Sequence, residues 1–164
     1  MTTYLSTFET DFGDFSVAVS ENGAVLATAF GEREALSARF RPGRLIVDEQ
    51  RTRDAREQIT EYLAAKRTSF DLPIAPAGTP FQNRVWTELR KIPRGETRSY
   101  GQLAKILESS PRAIGRANAT NPICLIVPCH RVIGADGSLT GFAFGAEIKR
   151  RLLEQENAVF AVME

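Results

Sequence analysis

A chain of 164 residues has room for one large domain or two small ones, and its 43% apolar and 25% charged residues are ordinary for a globular protein. No apolar stretch approaches the roughly 20 residues of a membrane-spanning helix, and the first residues lack the charged-then-apolar layout of a secretion signal. Two cysteines and one histidine argue against a disulfide framework and fall short of a four-ligand zinc site. We therefore expect a cytoplasmic protein with no membrane contact, no metal and no cofactor.

Charge is divided unevenly along the chain. The net charge is +1, but residues 1–80 carry −3 and residues 81–164 carry +4. A basic half beside an acidic half favours a polyanion as the partner of the second half. An ordinary solvated surface also gives a charge imbalance of this size. Charge alone therefore does not distinguish a polyanion-binding half from such a surface.

The first half of the chain has the pattern of an α/β fold. The turn residues 20–23, which include Asn-Gly, separate the apolar runs 12–19 and 24–30 and predict a β-hairpin. Beyond the Pro42-Gly43 break, we expect a strand over 45–47. Two helices are predicted on either side of that strand, a short one over 32–40 and an amphipathic one over 52–66.

A stretch rich in proline and glycine, residues 71–80, ends this first half. Such a composition breaks helices and pairs poorly in sheets, so it is the best linker in the chain. It divides the chain into a predicted domain over 1–75 and a second one over 76–164.

The second half is predicted to be mainly helical. Ser99 with Gln102 gives a capping-box pattern, and Ser110 followed by proline gives a second helix start. The helix after Ser110 has small residues and two arginines, so the pair is typical of a helix-turn-helix. Residues 135–138 have the pattern of a turn that closes a hairpin. Four helices are expected in all, over 81–92, 100–107, 112–119 and 146–155.

The run Pro128-Cys129-His130-Arg131-Val132 follows the apolar residues 123–127 and holds the most reactive group of the chain. A cysteine reacts as its thiolate, and a neighbouring histidine or arginine favours that form. An inert core cysteine is the alternative, and these five residues alone leave both open. Cys124, earlier in the apolar run, is expected to be structural.

Several motifs of the second half share the order and spacing of one known family. From about Pro80 to Glu156 the chain resembles the O6-alkylguanine-DNA alkyltransferases, also called methylated-DNA–protein-cysteine methyltransferases. The resemblance implies a small N-terminal ribonuclease-H-like α/β domain, followed by a mainly α, winged-helix-like domain with a helix-turn-helix. The matching motifs are TRSYGQLA at 97–104, RAIG at 112–115, NP at 121–122, PCHRV at 128–132, GSLTGF at 137–142 and residues 149–156.

The family's reaction implies a role for each residue of the thiol motif. The protein would flip O6-alkylguanine, or O4-alkylthymine, out of duplex DNA and keep the alkyl group on Cys129, once per molecule. His130 would take the thiol proton, Glu156 would orient the imidazole, and Asn121 would hold the turn. Because adjacent side chains of an extended segment point opposite ways, the step from Cys129 to His130 needs a bend or a bridging water.

The resemblance also implies how alkylated double-stranded DNA is bound. The protein would contact the minor groove as a monomer, and cooperative binding along the DNA stays open. Arg112 would fill the gap left in the base stack, and Tyr100 would rotate the nucleotide. Ala113 and Arg116, on the same helix as Arg112, would lie against the groove and its phosphates.

Backbone groups would form the pocket for the flipped base. By the resemblance, the carbonyls of Cys129 and Val132 accept from the base amino group, and the Ala143 amide donates to O6. The chain departs from the family pattern at two positions. Phe142 stands where tyrosine is common, and Phe144 where glycine is common, which leaves the preferred alkyl group open.

Two other classes of protein compete with this interpretation. A non-reacting reader of alkylguanine would carry tryptophan at the acceptor position, where this chain has Cys129. A thiol hydrolase would use Cys129 and His130 and would turn over, whereas a thioether product has no good leaving group.

Overall fold

The computed structural model describes residues 2–158, in which the chain forms two compact units. Unit 1 is the described part of Met1–Ala77 together with Pro122–Cys124, and unit 2 is Gly78–Asn121 together with the described part of Leu125–Glu164. Among these residues there is no helix with the length and apolar character to cross a membrane. A mixed β-sheet is combined with helices, which confirms the α/β part of the predicted fold class.

Unit 1 is built on a four-stranded sheet in the order β3-β2-β1-β4. Strand β4 is parallel to β1, and the other neighbouring strands are antiparallel. The helix α1 buries Ile59, Tyr62 and Leu63, as its amphipathic pattern predicts. The elements are β1 (Thr2–Thr10), β2 (Gly13–Val19), β3 (Val25–Phe30), a 3-10 helix (Arg33–Ala38), β4 (Arg44–Val47) and α1 (Arg53–Leu63).

The predicted hairpin forms from β2 and β3, whereas β1 was not expected from the sequence. Strand β1 lacks apolar alternation because Thr3 and Ser6 occupy buried positions, at 0% and 2% exposure. Ser6 is bonded there by the Thr52 hydroxyl at 2.9 Å, which satisfies its polar oxygen inside the core. The short helix expected over 32–40 forms as a 3-10 helix that buries Leu36.

The residues Pro122–Cys124 add an extended segment to unit 1. Ile123 forms a parallel bridge with Thr28 of β3, and the Thr28 hydroxyl donates to the Cys124 carbonyl at 2.8 Å. The same hydroxyl lies 3.3 Å from the Cys124 sulfur. Cys124 is therefore a buried packing residue of unit 1, as expected.

The described part of unit 2 contains four α-helices that begin within one residue of the predicted positions. Thr79 and Ser99 each form a complete capping box, and the Ser110 hydroxyl accepts from the Ala113 amide. Helices α3 and α4 lie against each other in the predicted helix-turn-helix order. The elements are α2 (Pro80–Leu89), β5 (Arg98–Ser99), α3 (Tyr100–Ile106), α4 (Pro111–Ala119), β6 (Val132–Ile133) and α5 (Ala146–Gln155).

The turn predicted over 135–138 forms, but the hairpin prediction is wrong. The Gly134 amide donates to the Ser138 carbonyl at 2.9 Å, which closes the turn. Strand β6, which precedes the turn, pairs in parallel with β5 instead of with the residues that follow. Two-residue strands carry too little pattern to fix a partner, so the sequence favoured the nearer one.

Trp86 joins α2 to α4 in the core of unit 2. Its indole Nε1 donates to the Ala117 carbonyl at 2.8 Å, and the side chain is 3% exposed. Gly78 lies over the ring, since a Cβ at that position would come within 2.5 Å of two ring carbons. Position 78, two residues before α2, is therefore restricted to glycine by the indole, because a rigid ring cannot move aside.

We expect Gly78→Ala to lower the free energy of unfolding by about 1–3 kcal/mol, because the added methyl group overlaps the Trp86 ring. Urea unfolding followed by tryptophan fluorescence measures the change. Gly101→Ala is the matched control, since its Cβ meets nothing closer than 3.8 Å and alanine favours the helix α3. Equal stability of the two variants would contradict this account of Gly78.

Candidate active site

Cys129 lies on a tight 3-10 turn, Cys129–Arg131, at the end of a buried segment. The segment bends here and is no longer extended at Cys129, but the bend brings no hydrogen-bond partner to His130 Nδ1. The thiol-bearing residue is 5% exposed. Asn121 donates from Nδ2 to the Val127 carbonyl at 3.0 Å, and so ties the approach to the turn.

His130 and Arg131, which follow Cys129 in the chain, form a buried cluster with Glu156. His130 Nε2 lies 2.9 Å from Glu156 Oε2, and the Arg131 guanidinium donates to both carboxylate oxygens, at 3.0 and 3.1 Å. A further guanidinium nitrogen donates to the Ile92 carbonyl at 2.7 Å. Arg131, which neighbours the thiol in the sequence, thus forms its ion pair with Glu156.

The electrostatics of the cluster decide the state of the histidine. Burial raises the pKa of Glu156, but the His130 ring and the Arg131 guanidinium outweigh it and hold that pKa well below its usual range. Burial is the largest effect on His130 and lowers its pKa, against the opposing attraction of Glu156. At neutral pH the carboxylate is therefore ionised and the imidazole neutral.

An ionised carboxylate only accepts hydrogen bonds, so Nε2 of His130 carries the proton and Nδ1 keeps a lone pair. Nδ1 is buried and has no hydrogen-bond partner among the described residues. A neutral imidazole with one nitrogen fixed by a carboxylate and the other open is the arrangement of a general base.

Tyr100, the first residue of α3, faces the loop after β6. Its hydroxyl donates to the Thr140 carbonyl at 3.1 Å. Gly141 has a φ of +84°, and a Cβ there would overlap the Tyr100 hydroxyl, so only glycine fits. Burial raises the pKa of Tyr100, as does the charge of Cys129 when it is a thiolate. The phenol therefore stays protonated at neutral pH.

Comparison with known proteins decides the family. Residues 80–158 match the family described as "6-O-methylguanine DNA methyltransferase, DNA binding domain". A methylated-DNA–protein-cysteine methyltransferase of Methanosarcina acetivorans is 41% identical over 157 residues, which cover 94% of this chain and 99% of the relative. The chain belongs to the methylated-DNA–protein-cysteine methyltransferase family. The resemblance inferred from the sequence motifs is confirmed.

Solved structures of the family agree with this membership. The Mycobacterium tuberculosis OGT in complex with DNA superposes with a TM-score of 0.82 at 36% identity, covering 96% of this chain and 93% of that one. The O6-methylguanine-DNA methyltransferase of Pyrococcus kodakaraensis superposes with a TM-score of 0.65 at 26% identity, covering 95% and 99%.

The other predicted site residues of this family member lie on the surface, in β6 or in the loop before α5. Arg112 and Arg116 are exposed on α4, on the side away from Ile114 and Ala117, and Ala113 is half-buried. Among the described residues, no hydrogen bond joins these three side chains to the Cys129 turn. Val132 is buried in β6. In the loop before α5, Ala143 is exposed and the Phe142 ring meets the Phe144 ring edge-on at 5.5 Å.

Two residues of the site were missed from the sequence, Lys149 and Asn118. Lys149 is 0% exposed, and its Nζ donates to the carbonyls of Val132 and Thr140. The Asn118 carboxamide donates to the Cys129 carbonyl at 3.3 Å. Each stands at a position that helical spacing assigns to the core, which is the pattern that would have found them.

The buried ammonium of Lys149 predicts a pH dependence of stability. Burial lowers the Lys149 pKa from 10.5 to about 8, although the charge of a Cys129 thiolate opposes the shift. Between those two values the unfolded chain binds the additional proton, so the free energy of unfolding should rise with pH, by up to about 3 kcal/mol. Lys149→Met should abolish this rise, which urea unfolding between pH 7 and 10.5 measures.

The exposed Lys105 provides the matched control. Lys105→Met removes an ammonium group that is already solvated, so the rise should persist in that variant. Parallel pH profiles for Lys149→Met and the wild type would contradict the assignment.

Proposed function

We propose that this chain repairs DNA by moving the alkyl group of O6-alkylguanine, and of O4-alkylthymine, onto Cys129. The observation that carries the proposal is the neutral His130, with Nε2 bonded to Glu156 and Nδ1 open, beside a buried thiol in a family named for methyl transfer to a protein cysteine. The chain is accordingly a methyltransferase whose acceptor is its own side chain.

The reaction begins with removal of the thiol proton. Cys129 and His130 Nδ1 share no direct hydrogen bond, so the proton passes through one bridging water to Nδ1. The imidazolium that forms is stabilised by the Glu156 carboxylate, as in the protease triads. Asn121 keeps the turn in place, because it holds the Val127 carbonyl two residues before Cys129.

Alkyl transfer is then an in-line displacement. The sulfur lone pair forms the new C–S bond while the bond between the alkyl carbon and O6 breaks. Guanine takes the electron pair and then, by way of water, the proton that His130 removed from the thiol. The Ala143 amide donates to O6 and stabilises the charge that develops there. A thioether has no good leaving group, so each molecule acts once.

DNA is bound through the helix-turn-helix of α3 and α4. In the proposal, Arg112 enters the base stack, Tyr100 guides the nucleotide outward, and Ala113 and Arg116 face the minor groove and its phosphates. The carbonyls of Cys129 and Val132 and the wall at Phe142 form the base pocket. Exposed arginines on a helix of small residues support this arrangement.

The proposal also covers the domain types, the location in the cell and the oligomeric state. We assign residues 1–75 to a ribonuclease-H-like domain and residues 76–164 to a winged-helix-like catalytic and DNA-binding domain. The protein acts as a cytoplasmic monomer. Titration of DNA with the protein measures whether it binds cooperatively. The short β5–β6 pair, whose strands come before and after the helix-turn-helix in the chain, is what a small wing would contribute.

Duplex DNA that carries O6-[methyl-³H]guanine tests the acceptor. We expect one equivalent of label on the wild type, and at least about 1,000-fold less on Cys129→Ser, because a serine hydroxyl is scarcely ionised at neutral pH. Cys124→Ser is the matched control and should retain the full equivalent. Release of more than one equivalent would favour the thiol hydrolase, and binding without label would favour the non-reacting reader.

If Arg112 helps to flip the base, its loss should slow repair of duplex DNA more than reaction with a free base. Extrusion of a base costs a few kcal/mol, so Arg112→Ala should slow repair of duplex DNA at least about tenfold. Reaction with free O6-benzylguanine, which needs no extrusion, should change far less. Arg90→Ala removes an exposed arginine elsewhere in unit 2 and should leave both rates unchanged. Equal losses on both substrates in Arg112→Ala would refute the role.

A further inference from the structure

Glu156 stands at the C-terminal end of α5, where a negative charge is disfavoured twice. The residue is only 2% exposed, and burial penalises an ionised carboxylate. The carbonyls at the end of a helix also carry partial negative charge, which repels the carboxylate. The last turn of α5, residues 152–155, has no basic residue to offset that charge. Groups outside the helix therefore have to hold Glu156 in place.

The chain that follows α5 pairs part of the helix end. Asn157 has a φ of +58°, and its amide donates to the Glu154 carbonyl at 3.0 Å. The next amide, that of Ala158, donates to the Leu153 carbonyl at 2.9 Å. These two bonds form a Schellman motif. The carbonyl of Gln155, the last residue of the helix, is not an acceptor in this motif.

A tight turn over residues 93–96 supplies a donor for the Gln155 carbonyl. The Glu96 amide closes the turn on the Pro93 carbonyl at 3.0 Å. Arg94, inside the turn, donates from Nη2 to the Gln155 carbonyl at 3.0 Å. Its Nε is buried and has no hydrogen-bond partner among the described residues, so the protein encloses the guanidinium. A cation beside the last carbonyls of a helix stabilises that end.

The same segment, residues 92–95, contacts Glu156 in two further ways. A Cβ at Gly95 would lie 3.1 Å from the Glu156 carbonyl oxygen, so the backbone of the turn packs closely against that residue. The Ile92 carbonyl accepts from Arg131, which in turn donates to both Glu156 carboxylate oxygens. The segment thus supports Glu156 at its backbone and, through Arg131, at its carboxylate.

The carboxylate has to stay fixed because it sets the tautomer of the base. Glu156 Oε2 lies 2.9 Å from His130 Nε2, and a shift of about 1 Å would break that hydrogen bond. We propose that Arg94 is a positioning residue of the alkyl transfer, because it fixes the end of α5 and thereby keeps Glu156 on His130. This inference rests on the proposed function and adds a residue that acts on the reaction through two others.

The tautomer of His130 can be measured directly. His130 is the only histidine of the chain, so its imidazole signals in nitrogen-15 NMR need no assignment. In the wild type we expect the proton on Nε2 alone. Arg94→Met keeps the aliphatic stem but removes the donor and the charge, so both ring nitrogens should shift towards the averaged values of a tautomer mixture. Arg94→Lys keeps a cationic donor and should retain the wild-type signals.

Reaction with free O6-benzylguanine tests the same role without DNA. With this substrate in excess, the rate constant refers to each active molecule, and the amplitude reports the folded fraction. A loosened Glu156 stabilises the imidazolium less, so the thiol gives up its proton at higher pH. The other charged groups that face His130, Arg131 and Lys149, are unchanged in the variant.

The rising limb of the pH profile should therefore move in Arg94→Met. We expect it to lie about one pH unit higher than in the wild type, which makes the reaction about tenfold slower on that limb, the worth of one hydrogen bond. The two rates should converge at high pH. Arg94→Lys should recover the wild-type profile.

Arg84→Met is the matched control. Arg84 donates to the Leu107 carbonyl at 3.3 Å, so its removal also takes a guanidinium from a helix end, that of α3. This variant should keep the His130 signals and the pH profile of the wild type.

The outcomes separate the two proposals. Unchanged His130 signals in Arg94→Met, or slowing by the same factor at every pH, overturns the positioning role and leaves Arg94 as a support of α5. Absence of alkyl transfer to wild-type Cys129 overturns the proposed function itself, whereas the NMR comparison still measures whether Arg94 controls the tautomer.

Discussion

The carboxylate of Glu156 is the group on which the rest of the site depends. It is buried, yet it stays ionised because Arg131 donates to both oxygens and His130 to one of them. Removing one partner of such a cluster leaves a charge unpaired in the interior, at a cost of about 3–5 kcal/mol. The same carboxylate sets the imidazole tautomer, so one interaction stabilises the fold and prepares the base.

The thiol turn illustrates how irregular backbone is kept inside a domain. Three carbonyls in or beside it, those of Val127, Cys129 and Val132, accept from buried side chains that reach in from the ends of helices or from their inner faces. Backbone amides bond two of them as well, since the Cys129 amide donates to the Val127 carbonyl and the Val132 amide to the Cys129 carbonyl. The side-chain donors add a second hydrogen bond and help to fix the direction of the carbonyls. These donors are Asn121, Asn118 and Lys149.

The helices of unit 2 could be predicted from local sequence patterns, whereas much of the site could not. Capping boxes at Thr79 and Ser99 depend on residues three apart, so they are visible in sequence. The ion pair of Arg131 with Glu156 joins residues 25 positions apart, and no local pattern links them. Strand β1 was missed because its local pattern is misleading: Thr3 and Ser6 are polar residues in buried positions. Family motifs supplied Glu156 and Tyr100, but they do not tell which donors hold the turn.

Two of the unsatisfied polar atoms of unit 2 belong to side chains next to or bonded to Cys129. Three buried side-chain atoms of the described part of unit 2 lack a partner: Arg94 Nε, Asn118 Oδ1 and His130 Nδ1. Arg94 is anchored through another nitrogen to the Gln155 carbonyl, whereas the remaining two atoms adjoin Cys129. Both are acceptors, and His130 Nδ1 is the one that the proposed reaction uses, since it receives the thiol proton. No protein hydrogen bond has to be broken at this nitrogen before the proton arrives, so the base is prepared in advance.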